Sequence, residues 1–138
     1  MKHIKVFVLA LFLFVAFTGC TQNLTLHQSQ SDIVQIDLVY SPFGENEVLY
    51  TLGDDEISTF LDKLMALKLH KASSPQDIGG TLSIQIIYAN TSVEILGTAS
   101  VGYLPQNGPM EHDGWYYLMY DDLYALFSEY IDFSVAST

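Results

Sequence analysis

Residues 81–89 read TLSIQIIYA, and their spacing decides the fold class. Leu82, Ile84, Ile86 and Tyr88 alternate along the stretch, with Ser83 and Gln85 between them. Successive side chains of a strand point to opposite faces, so this period of two puts the first set on one buried face. A strand with one apolar face and one polar face suits an antiparallel sheet, whereas parallel strands are buried on both faces and read as continuous apolar runs. "NTS" at 90–92 turns the chain into "VEIL", and Gly97 punctuates before a further strand expected at 99–104.

Working outward, Ile36, Leu38 and Tyr40 share one face of a strand over 33–40, with Asp37 on the other. Pro42 and Gly44 supply a turn, and Val48, Tyr50 and Leu52 mark the second strand. Ile57, Phe60, Leu61, Leu64 and Lys68 keep i, i+3, i+4, i+7 spacing, which predicts an amphipathic helix over 55–68. Residues 72–80 and 105–114 are rich in Pro, Gly and polar residues and read as loops. The aromatic strand "WYYLM" follows, then a helix opened by Asp121 and Asp122 with Leu123, Leu126, Phe127 and Tyr130 on one face. The order ββαββββα predicts an α+β fold, an antiparallel sheet of about five to six strands with two helices on one face.

The front of the chain has a different character. Met1 to Lys5 is short and cationic, and Val6 to Phe17 is an unbroken apolar run of twelve residues. Crossing a bilayer takes about 20 residues, so the run is too short to span and has the layout of an export signal. Thr18 and Gly19 precede Cys20, the only cysteine of the chain. "FTGC" resembles the lipobox of bacterial lipoproteins, although Phe17 stands where an aliphatic residue is usual. The resemblance implies that residues 1–19 are removed and that Cys20 carries a diacylglycerol. It also implies a place on the outer face of the cytoplasmic membrane. Residues 20–31 then read as the lipidated cysteine and a flexible tether, roughly 17–20 Å in reach, and 32–138 as a single domain. The layout of that domain is similar to small Gram-positive surface lipoproteins of the YhfM-like type. Asp54 and Glu56 stand at the spacing of their strand–D-x-E-x-I–helix element, with Ile57 one position early, which implies no particular activity.

Sixteen acidic residues face five lysines, and there is no arginine. Removal of Lys2 and Lys5 with the signal leaves three lysines against sixteen acids, a net charge of −13. Such a surface repels phosphate backbones and anionic head groups, which excludes nucleic acid as a partner and assigns membrane attachment to the lipid. Cationic partners fit.

The Asp-Asp pairs at 54–55 and 121–122 are expected to cap helices, since aspartate accepts bonds from the free N–H groups of a helix start. They lack the spacing of a calcium loop, and no metal or cofactor is expected. Glu111, His112, Asp113 and Trp115 gather in one loop and form the candidate binding site. A histidine among acids can act as general base, but no second histidine sits at metal-ligand spacing. No serine-nucleophile, P-loop or dinucleotide motif occurs. These features predict an exported, lipid-anchored, non-enzymatic domain that binds a protein or cell-wall ligand. A small envelope hydrolase using the 111–115 loop, and an inhibitor or immunity-type protein, are the alternatives.

Overall fold

The computed structural model describes residues 21–42, 45–72, 81–99, 101–111 and 115–136. The apolar front segment and Cys20 lie outside them, as do His112 and Asp113. The architecture is α+β and mainly strands, arranged in two antiparallel sheets.

The larger sheet is built from β2 (Ile33–Ser41), β3 (Glu47–Thr51), β5 (Thr81–Tyr88), β6 (Val93–Gly97) and β7 (Val101–Leu104), in the order β3-β2-β5-β6-β7. The alternation of 81–88 works as the period of two requires: Leu82, Ile84, Ile86 and Tyr88 are all buried, and their neighbours are half-buried. Antiparallel register carries the apolar face across the sheet, with Ile84 between Leu38 and Leu96 and Ile86 opposite Ile36.

That face is covered by α1 (Ile57–Met65) and α2 (Tyr120–Phe127). Phe60, Leu61 and Leu64 from α1 and Leu123, Leu126 and Phe127 from α2 join the strand residues in one core cluster. Burying each such side chain contributes roughly 1.5–3 kcal/mol. A third, four-residue helix, α3, spans Phe133–Ala136. Among the described residues no helix is long and apolar enough to cross a membrane.

A second sheet was not anticipated. β1 (Thr21–Asn23), β4 (Lys68–Ala72) and β8 (Trp115–Tyr117) pair in the order β1-β4-β8. The helix expected over 55–68 therefore stops at Met65, because Lys68–Ala72 finds strand partners on both sides and Leu69 is buried. Residues 21–31 do not hang as a tether either: β1 pairs with β4, Leu24 is in the core and Leu26 packs against it. The aromatic strand is placed in this smaller sheet rather than in the single sheet expected.

The helix starts also differ from expectation. No aspartate side chain caps either helix. At α1 the work is done one residue later: Glu56 Oε1 accepts from the Gly53 N–H at 2.8 Å and from the Tyr50 hydroxyl at 2.8 Å. The Gly53 N–H, followed by the Tyr50 bond, holds the Glu56 carboxyl below its ordinary range. The same bond raises the Tyr50 phenol. Asp121 and Asp122 lie in the first turn of α2, where a negative charge meets the positive end of the helix dipole.

Candidate functional site

The polar residues converge where the N-terminal segment crosses the hairpin β5–β6. The hairpin closes through the Thr91 N–H to the Tyr88 carbonyl at 2.9 Å. Thr91 itself sits at φ 69°, a left-handed conformation in which a β-branched residue is strained. Asn90 Oδ1 accepts from the Ser92 N–H at 3.1 Å and from its hydroxyl at 2.5 Å, so the turn is held by its own side chains.

Beyond the turn, register places Glu94 opposite Ile86 on the core face of the large sheet, with 1 % of it exposed. A carboxylate removed from water needs donors on its oxygens. Glu94 has three. Tyr88 donates its hydroxyl to Oε1 at 2.8 Å, the His27 backbone N–H donates to Oε1 at 2.7 Å, and His27 Nδ1 donates to Oε2 at 2.5 Å. Burial, and then the bond to Glu94, drives the Tyr88 phenol well above its usual range, so it remains a donor at any physiological pH.

The His27 ring is fixed a second way. It lies flat on the Tyr103 ring, 4.2 Å between centroids and 4° between planes. Gln28 Nε2 donates to the Tyr103 hydroxyl at 2.9 Å and to the Ser92 hydroxyl at 2.5 Å. Residues 27 and 28 are thus bolted to β6, β7 and the hairpin turn. No buried side-chain polar atom among the described residues lacks a partner.

Beside this network a cleft of about 350 Å³ opens between the sheets. Gln22, Leu69 and Tyr116 face it from the small sheet, and Glu94 and Leu96 from the large one, with His27 and Glu111 at its sides. Glu111 is exposed and held by backbone bonds to Tyr103 in both directions, at 2.9 and 2.7 Å. The chain beyond it passes into β8 of the other sheet.

Of the four loop residues singled out by sequence, Glu111 lines the cleft and His112 and Asp113 lie outside the described residues. Trp115 begins β8, its backbone paired with Ala72. His27 and Glu94 were missed. In "VEIL" the apolar residues on either side of Glu94 make it look solvent-facing, and His27 stood in the supposed tether. The available signal was Tyr88, a phenol on an otherwise aliphatic strand face, which needs an acceptor when buried.

The chemistry on offer is acceptor-rich: one buried carboxylate already engaged, one exposed carboxylate at the rim, and the Tyr116 ring lining the same cleft. Among the described residues, no group of three or more His, Cys, Asp or Glu side chains is placed to hold a metal ion. No family model, curated protein or solved structure matches the chain.

Proposed function

We propose that this chain is an exported, non-enzymatic interaction domain, anchored by a lipid on Cys20 to the outer face of the cytoplasmic membrane. Its binding site is the cleft between the two sheets, and the group it takes is cationic, carried by a protein or by cell-wall material. The observation that carries this reading is the pairing of the buried Glu94 with the exposed Glu111 around one cleft. Glu94 is pre-organised, so its charge needs no rearrangement when a cation arrives. Glu111 is accessible and supplies direct contact. The acidity of the whole chain steers such a partner in, an effect that weakens with salt.

Titration with a short lysine-rich peptide, followed by amide NMR shifts, tests it. Shifts confined to Thr25, His27, Leu69 and Glu111, and lost in Glu111→Gln, are expected. Shifts spread evenly over the acidic surface and unchanged in that variant would sink the cleft as the site.

One observation favours a second reading, a small envelope hydrolase. The His27 ring is oriented by a carboxylate, as a general base is. In that reading His27 takes the role that sequence gave to His112, and His27→Ala lowers the rate on an ester substrate by about 10²–10⁴.

A further inference from the structure

We propose that the outer face of the β1-β4-β8 sheet lies against the head-group layer of the membrane, so that the domain is held flat on the bilayer instead of swinging above it. The inference rests on lipid anchoring at Cys20 and specifies what that anchoring does to the fold.

The anchor and the sheet are adjacent in the chain. Consecutive Cα atoms are about 3.8 Å apart, and Thr21, the residue after Cys20, is already the first residue of β1. A chain lipidated at Cys20 has no slack before the sheet begins.

The face that meets the anchor also differs in composition from the rest of the chain. Leu69 is buried and Tyr116 lines the cleft, so Gln22, Leu69 and Tyr116 mark the inner side of the sheet. Register then assigns the alternate residues to the outer side. Thr21 stands opposite His70 and His70 opposite Tyr117, in one row, and Asn23 stands opposite Lys68 in the next. The His70 and Tyr117 rings are 5.7 Å apart, and Lys68 Nζ donates to Asn23 Oδ1.

No strand of this sheet contains an acidic residue, although the chain has sixteen. Lys68, one of the three lysines that remain after residue 20, is on this outer side, whereas Lys71, opposite Tyr116, belongs with Leu69 on the inner one. Cations beside phosphates, and aromatic side chains with one polar end, are the groups that settle at a membrane–water boundary. Elsewhere the acidic surface is repelled from anionic lipid. The anchor therefore tethers the chain at the one described sheet that the bilayer does not repel.

The test uses the full, lipidated chain in vesicles of phosphatidylcholine and phosphatidylglycerol. The acylated Cys20 thiol is blocked, so Asn23→Cys, Lys68→Cys and, on β3, Val48→Cys can each carry a single fluorophore. A nitroxide on the lipid head group is expected to quench the probes at 23 and 68 several-fold more than the probe at 48. Intact-protein mass reports the lipid on Cys20 independently. Equal quenching at all three positions with the lipid mass present would overturn the membrane-facing placement alone. Absence of the lipid mass would overturn the anchoring reading, and the placement with it.

Discussion

The two sheets solve the same pairing problem with opposite means. The five-stranded sheet is made mostly of neighbours in sequence, and its apolar face is continuous from Ile36 and Leu38 through Ile84 and Ile86 to Leu96. The three-stranded sheet collects segments from the beginning, middle and end of the described chain, and its strands hold three, five and three residues. Hydrophobic burial defines the first. The second buries far less: Leu69 of its central strand and Leu24, just beyond β1, reach the core, while polar contacts from His27 fix the N-terminal segment to Glu94. Stability and site are thus separated, with the cleft lying on the seam between them.

The largest effect expected from this difference is in the core of the larger sheet. Ile84→Ala should destabilise the fold by about 2–5 kcal/mol, whereas Leu69→Ala should lie at the low end of that range. Urea unfolding of both variants decides it, and equal losses would remove the contrast.

Glu94→Ala comes next. It leaves the buried Tyr88 hydroxyl and the His27 amide without their acceptor, and an unsatisfied buried group costs about 1–3 kcal/mol. The loss should be local, with hydrogen exchange accelerating over residues 24–28 while the β5–β6 ladder stays protected. Uniform acceleration would mean that the two sheets form one cooperative unit.

A pH series sharpens the picture at the rim of the large sheet. Glu56 has a depressed folded pKa, so its contribution is present above the ordinary carboxylate range, near 4.3, and is lost as pH falls through the folded value. The melting temperature of Glu56→Gln should therefore lie below that of the parent at pH 7 and approach it in acid. A gap that widens on acidification would reverse the assignment.

The smallest effects concern the aspartates. Asp54→Ala, an exposed change without a cap to lose, should stay within about 0.5 kcal/mol of the parent. Asp121→Ala should lose about 0.3–1 kcal/mol through the helix dipole. A loss above 1 kcal/mol at Asp54 would restore the capping role that its side chain lacks here.

How much of this was legible depended on how much each element relied on its own residues. The strands over 33–41 and 81–88 and both helices carry their period within themselves, so alternation and i, i+3, i+4 spacing located them. β1 and β4 have no such signature. Lys68–Ala72 continues a helical pattern on paper and becomes a strand only because distant segments offer backbone partners. Within the site, Glu111 was found as part of a polar loop, but Glu94 was not, because a lone acid in an apolar strand is normally on the wet side. Its inward position is a tertiary fact, made tolerable by Tyr88 and His27 from two other parts of the chain.

The long-range pairing of the small sheet also sets an order of events. Thr21 pairs with His70 and His70 with Tyr117, separations of about fifty residues each, so two wide loops must close before the ladder is complete. The hairpin β5–β6 needs only the turn at 89–92. Synthesis makes β1 first, yet β1 has to wait for β4, and β4 for β8, while the meander β5–β6–β7 can zip as soon as it exists. The segment that becomes the floor of the cleft is therefore the last to settle, and an unfinished chain would present β1 as a bare edge to proteases and to other strands.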